Sequence, residues 1–218
     1  HLAVRRQRQM CIRDSYESFD HFLDFFSSRN RKNLKKERRK IAEQDLEIKR
    51  FTGNQISLDV VDDFYSFYVD THLRRSGHSG YLNKDFFEEI TQTIADNILI
   101  ILAYKNGRAV AGSFFFYDQN NLYGRYWGAS SDFDALHFEC CYYQGIDFCI
   151  EKNIKRFDPG VQGEHKIKRG FEPTFTFSSH WIENYDFSLA INDFLLREDK
   201  YIKDYHQDAS TLLPFKNI

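Results

Sequence analysis

The stretch from Leu122 to Phe171, LYGRYWGASSDFDALHFECCYYQGIDFCIEKNIKRFDPGVQGEHKIKRGF, gathers most of the side chains able to do chemistry. Polar and ionisable groups there stand beside aromatic residues and glycines, at the ends of elements where sites are commonly built. His137 and Glu139 open a helix and, two residues apart, project on different sides of it. Glu139 could act as a general base and His137 could bind an amine and relay its proton. Both could equally be helix-start polar residues, since an acid there is favoured by the helix dipole. Gln162-Gly163-Glu164-His165-Lys166 follows the C-terminal end of a strand, a favoured ligand position in α/β sheets. Glu164 is a second candidate base with His165 assisting, and Lys166 and Arg169 could meet a phosphate or carboxylate. Arg125, Tyr126 and Trp127 share a strand, so Tyr126 faces opposite to its two neighbours. Tyr126 could donate a proton to a leaving group or be a core tyrosine with a wet hydroxyl. His72, Arg74 and Arg75, just before Gly77, are weaker candidates for an acceptor-side loop. Metal binding would require His137, Glu139, Glu164 and His165 to converge, and no metal is expected.

These residues need a scaffold. Residues 16–44 read as one long amphipathic helix, with Phe19, Phe22, Leu23 and Phe26 on one face and a basic run after them. A strand is expected at Leu46–Phe51, then a helix capped by Ser57 and ending near Gly77, and another over Lys84–Ala95. A meander follows: Ile98–Tyr104, an Asn106-Gly107 hairpin turn, Arg108–Tyr117 and Leu122–Gly128. A helix over Ala135–Asn153, a short strand Lys155–Asp158, a loop or short helix to Arg169, a strand Thr174–Trp181 and a helix Phe187–Tyr205 complete the chain.

The 218 residues suffice for one sizeable α/β domain, and 17% aromatic content supplies a core without disulfides. No apolar run approaches the roughly 20 residues that span a bilayer, so a cytoplasmic protein without a transmembrane segment is expected. Cys11, Cys140, Cys141 and Cys149 form no CxxC pair and read as reduced, mostly buried thiols. Charge is uneven: residues 29–40 hold eight basic residues and one acid, against an acid surplus over residues 41–218. That basic helix could be a solvated helix that packs on the missing first half in the whole protein, or it could contact phosphates of a tRNA or of an anionic lipid-linked acceptor. The first fifteen residues, HLAVRRQRQMCIRDS, read as a non-native leader. The organisation expected is a leader over 1–15, a basic linker helix over 16–44 and a catalytic domain over 45–218.

The element order resembles the GNAT acyltransferase superfamily over residues 45–185. The words LYGRYWGA, LHFECCYYQ and GVQGEHKIKRGFEP resemble a bacterial family of N-acyltransferases grouped with the Fem-type peptidoglycan aminoacyltransferases. The resemblance implies a GNAT-like α/β fold, with a mixed, mostly antiparallel sheet flanked by helices. It also implies that this chain is the second of two such halves, with the first half as its partner. The activity implied is transfer of an activated acyl or aminoacyl group to a small-molecule or lipid-linked amine in cell-envelope metabolism. The donor would lie where strand 122–128 and strand 155–158 splay apart, with backbone N–H groups near Trp127 and Gly128 holding the oxyanion. Arg125, Trp127, Gly128, Gln162, Lys166 and Arg169 are then substrate-binding. Glu139 or Glu164 is the base, His137 and His165 assist, and Tyr126 supplies a proton. Coenzyme A users carry a Q/R-x-x-G-x-G/A loop before the central helix. This chain has Gly128-Ala129-Ser130-Ser131-Asp132-Phe133-Asp134 there, as Fem-type proteins that take aminoacyl-tRNA also lack the loop. Acyl-coenzyme A and aminoacyl-tRNA therefore stand as alternative donors. The rival expectation is a catalytically silent GNAT-like module that recognises a cell-wall precursor or a partner protein.

Overall fold

The computed structural model describes residues 16–160 and 163–216, and residues 2–11 as backbone. In chain order the elements are β1 (Leu2–Cys11), α1 (Phe19–Asp24), α2 (Ser28–Glu43), β2 (Leu46–Thr52), α3 (Leu58–Ser76) and α4 (Lys84–Thr93). Then come β3 (Ile98–Lys105), β4 (Arg108–Tyr117), β5 (Asn121–Ala129), α5 (Leu136–Phe138), a π-helical turn (Glu139–Tyr143) and α6 (Gln144–Lys152). β6 (Arg156–Asp158), a 3-10 turn (Glu164–Arg169), β7 (Glu172–Trp181) and α7 (Tyr185–Thr211) follow.

The chain divides into two compact units, Arg13–Pro159 and His1–Ile12 with Gly160–Ile218. The first holds a five-stranded sheet in the order β2-β3-β4-β5-β6. Every pairing is antiparallel except β5–β6, which is parallel. This is the GNAT-like arrangement, a mixed and mostly antiparallel sheet flanked by helices. In the second unit β1 pairs antiparallel with β7, and Phe175 of β7 stacks on His206 of α7 at 4.3 Å. The segment expected as a leader thus supplies the strand Leu2–Cys11.

Both faces of the five-stranded sheet are covered, which is why β3 reads as the unbroken apolar run Ile98–Ala103 rather than an alternating one. One face packs under α3 and α4 through Val60, Phe64, Phe67, Tyr68 and Phe87, against Ile100, Leu102 and Phe114. On the other, α6 approaches closely at Gly145, where a Cβ would fall 2.6 Å from the Phe157 ring. Tyr117 meets Phe148 there at 5.0 Å.

Two local departures from the sequence reading have clear causes. The helix expected over 16–44 is two helices. Ser18 caps α1 by accepting from the His21 N–H at 3.0 Å. The chain then leaves helical geometry at Ser27 (φ −57, ψ 148) so that Phe22, Leu23 and Phe26 can all be buried. The helix expected over 135–153 contains the π turn at its second turn. A π turn leaves backbone groups off the regular ladder, and the Cys140 carbonyl accepts from the Ser113 hydroxyl of β4 at 2.9 Å.

Gly128 fixes how α3 lies on the sheet. A Cβ at this position would fall on the Phe67 carbonyl oxygen and 2.8 Å from the Phe67 Cβ. Both obstacles are rooted in a helix backbone and cannot rotate away. Gly128→Ala should therefore destabilise the protein by about 1–3 kcal/mol through overpacking, read as a lowered urea midpoint. A midpoint unchanged from wild type would show that α3 is free to shift.

Candidate functional site

The strand β5 has a neighbour on its β6 side for three residues only, Asn121–Arg156, Leu122–Phe157 and Tyr123–Asp158. Three neighbouring residues end the pairing. Pro159 follows Asp158, and its ring fixes φ at the residue where β6 ends. Gly124 lets that proline come close, since a Cβ on Gly124 would lie 3.3 Å from the Pro159 Cα. Arg125 is an extra residue on the β4 side, because Phe114 pairs with Tyr126 while Phe115 pairs with Gly124. Such a bulge bends the strand that carries it. From Gly124 to Ala129, no described strand pairs with β5 on that side. The expected splay beside β5 is present.

The ladder decides which backbone groups face the splay. The Ser130 N–H donates to the Val110 carbonyl at 2.8 Å, and Ala129 lies opposite Ala111. In an antiparallel pair the bonded residues alternate. Gly128 and Tyr126 therefore turn their backbone groups to β4, whereas Trp127 and Ala129 turn theirs away. The Ala129 carbonyl accordingly accepts from Arg74 of α3. Of the two expected oxyanion donors, Trp127 directs its N–H into the open side and Gly128 directs its N–H into the sheet.

Side chains follow the same alternation. Tyr126 packs on the α3 side, with its ring 5.2 Å from Tyr68 and 6.1 Å from Phe87. Burial, with Tyr68 adding to it, raises the Tyr126 pKa, so its hydroxyl keeps its proton. Trp127 lies on the α5 side, its ring 5.3 Å from His137, which also meets Phe138 and Tyr142. The structure thus brings together Trp127 and His137. Arg125 is exposed at the bulge.

Glu139 has a different setting. It lies 3% exposed in the π turn, facing α2. Its Oε1 accepts from Arg38 at 3.1 Å and from Gln144 at 2.7 Å, and Oε2 has no hydrogen-bond partner. Arg38 also pairs with Asp147 at 2.7 Å and lies 4.4 Å over the Phe19 ring. Tyr143 donates to Glu37 of α2 one turn further along. Burial raises the Glu139 pKa, against the opposing pull of Arg38. The carboxylate therefore anchors the basic helix to the central helix, a role that the sequence did not signal because Arg38 is 101 residues away.

The loop before the central helix is also held by α2. Lys40 pairs with Asp134. Gln44 donates to the Asp134 carbonyl at 2.9 Å and accepts from its N–H at 3.0 Å. Ala135 takes a left-handed φ of 64 to start the helix. A coenzyme A pyrophosphate needs free N–H groups and no nearby negative charge at such a helix start. Asp132, the pinned Asp134 and the lack of glycine between them do not fit that group.

The remaining predicted residues belong to the other unit. Glu164 is exposed and accepts from the Tyr205 hydroxyl at 3.4 Å. Lys166 is buried and donates to the Gly160 carbonyl at 2.9 Å, and Arg169 is buried and donates to the His165 carbonyl at 2.8 Å. The His165 pKa is lowered by partial burial first and by the Arg169 and Lys166 cations next. Gln162 lies outside the described residues. Among the described residues no group of three His, Cys, Asp or Glu is placed to hold a metal. Burial pushes the Cys140 and Cys149 thiols up, which leaves them poor nucleophiles.

A further cluster joins the weaker candidate His72. Its Nδ1 lies 2.8 Å from the Tyr68 carbonyl, and a carbonyl only accepts, so Nδ1 carries a hydrogen. The His78 ring lies 5.9 Å away, and Tyr68 accepts from the Tyr81 and Leu82 N–H groups.

This open-edged sheet defines a GNAT-like fold, and comparison with known proteins gives the family. The FemAB-like family, described as peptidoglycan biosynthesis and recognition, matches residues 2–217, and the chain belongs to it. No curated protein sequence matches the chain. Among solved structures it is similar to L-PGS from Bacillus licheniformis, with a TM-score of 0.59 and 12% identity over 89% of this chain and 65% of that one. The C-terminal domain of a protein from Agrobacterium fabrum, named as a lysylphosphatidylglycerol synthetase, gives 0.61 and 12% over 87% and 64%. FemX gives 0.54 and 13% over 71% and 53%. The chain therefore spans less than two thirds of each of these proteins, and at such identities the likeness is one of fold.

Two outcomes follow from the Arg38 anchor. Arg38→Ala leaves Glu139 buried with Gln144 as its remaining hydrogen-bond partner, and should cost about 2–4 kcal/mol in denaturant unfolding. A carboxyl whose folded pKa lies above its unfolded one binds its proton more tightly in the native state, so its contribution to stability falls as pH rises from the ordinary glutamate range through the raised value. Glu139→Gln should flatten that part of the pH–stability curve. An identical curve for both proteins would show that Glu139 keeps an ordinary pKa.

Proposed function

We propose that this chain transfers an aminoacyl group from an activated ester to an amine acceptor of the cell envelope. The observation that carries this reading is the Trp127 N–H aimed into the open side of β5, beside His137. A donor laid along that edge can pair with free strand backbone, and a fixed N–H is the kind of donor that stabilises an oxyanion. The acceptor nitrogen attacks the carbonyl carbon, and the ester C–O bond breaks as the C–N bond forms. His137 takes the amine proton and passes it to the leaving oxygen, while Tyr126, packed on Tyr68 and Phe87 on the opposite face, is assigned to the core. Glu139 is assigned to anchoring rather than to base catalysis, because Arg38 and Gln144 occupy its carboxylate. Glu164 belongs to the other unit, where its carboxylate accepts from the Tyr205 hydroxyl, and it takes no part in this mechanism.

An aminoacyl ester is favoured over an acyl-coenzyme A thioester because the loop at 130–135 repels a pyrophosphate. The neighbour named for lysylphosphatidylglycerol, an aminoacylated lipid, and the family's peptidoglycan description both support an envelope acceptor, lipid-linked or small.

A pair of substitutions tests the site. Trp127 sits where its N–H makes no ladder bond, so Trp127→Pro removes the donor without breaking the pairing with β4. Trp127→Ala keeps the N–H and serves as the control for the lost ring. In single-turnover assays with aminoacyl-tRNA and membrane-lipid or peptidoglycan-precursor amines, the proline variant should fall about 100- to 1,000-fold below the alanine variant. Equal rates for the two would remove Trp127 from the mechanism. Saturable acetyl-coenzyme A binding without aminoacyl-tRNA binding would overturn the donor assignment. Precursor binding without turnover would move the chain to the recognition class.

A further inference from the structure

The basic helix α2 has two unlike sides. Leu34 and Ile41 are buried on one side, Arg38 beside them is committed to Glu139 and Asp147, and Lys40 is committed to Asp134. Near its start, Arg31 and Lys35 pair with Asp24 and Asp20 of α1. Arg29, Lys32, Lys36 and Arg39 are left, all exposed and with no ion pair among the described residues. Their spacing of three, four and three residues puts them on one helical face. At about 1.5 Å per residue the row is roughly 15 Å long and straight. It lies opposite the buried face and ends at Glu43.

We propose that this outer row docks the protein reversibly on an anionic lipid surface. A straight row on a convex helix suits a flat array of mobile headgroups, which needs no matching groove. A nucleic acid read through loops or single strands needs stacking surfaces, and α2 contains no aromatic residue. The apolar side of α2 is used within the protein, so the contact is electrostatic and does not insert. The chain's net charge is −2 although residues 29–40 carry a strong cationic surplus. An anionic surface therefore attracts this face and repels the acidic remainder, which sets the protein's orientation.

The test is co-sedimentation of the full chain with vesicles of phosphatidylcholine alone or containing about one third phosphatidylglycerol, at low and high salt. Binding should require phosphatidylglycerol and should vanish at high salt. Single reversals such as Lys36→Glu should weaken it several-fold. Reversing Arg29, Lys32, Lys36 and Arg39 to Glu together should weaken it by on the order of 100-fold or more. The thermal transition should stay where it is, because none of the four is buried or paired. Lys152→Glu with Lys155→Glu, exposed elsewhere, is the control and should bind like wild type. Equal binding by the wild type and the fourfold variant, or no binding to anionic vesicles, overturns the proposal. So does salt-sensitive binding to tRNA that the fourfold variant loses while vesicles do not bind, which would assign the row to nucleic acid.

Discussion

A strand that loses its neighbour halfway along must do something with its backbone. Each peptide group in β5 carries a donor and an acceptor, and burying either unpaired is costly. Up to Tyr123 the β6 side satisfies them. Beyond Gly124 the Pro159 turn leads the chain away, and alternate residues direct N–H and C=O to a side where no described strand pairs with them. One such carbonyl, at Ala129, is taken by Arg74. The N–H of Trp127 faces the same open side, and it is the group to which the proposed function assigns the oxyanion. The rest of the unit serves to hold this edge: Gly128 seats α3 against it, and the central helix sets His137 beside it.

The helix α2 is the second constraint. It binds the start of the central helix through Lys40 and Gln44 at Asp134, and the π turn through Arg38 at Glu139. The first contact pins the loop before the central helix, and the second holds the π turn. The same helix then presents its unused cations outward. One element thus ties the central helix down with its inner cations and leaves a charged row exposed on its other side.

Much of this was legible in the sequence. Asn106-Gly107 marks the β3–β4 hairpin, and the alternation of Arg125, Tyr126 and Trp127 places Tyr126 and Trp127 on opposite faces. The splay was expected from family resemblance, but its local causes are Gly124, Arg125 and Pro159. What stayed hidden is non-local or depends on half a turn of helix. Nothing around Glu139 announces Arg38, and the π turn that faces Glu139 toward α2 leaves the apolar pattern of the helix intact. The break at Ser27 is masked because Phe22 and Phe26 fit one helical stripe as well as they fit a bend. Which strand N–H groups face outward depends on ladder phase, and a bulge at Arg125 resets that phase.

The proposed site depends on the direction of one amide, and hydrogen exchange of β5 reads it directly. In the free protein the Trp127 and Ala129 amides should exchange quickly while those of Tyr126 and Gly128, bonded to β4, exchange slowly, and an aminoacyl-tRNA donor should slow Trp127 selectively. A Trp127 amide as protected as Tyr126 before any donor is added would mean that the edge is already filled, and would contradict the site proposed for it.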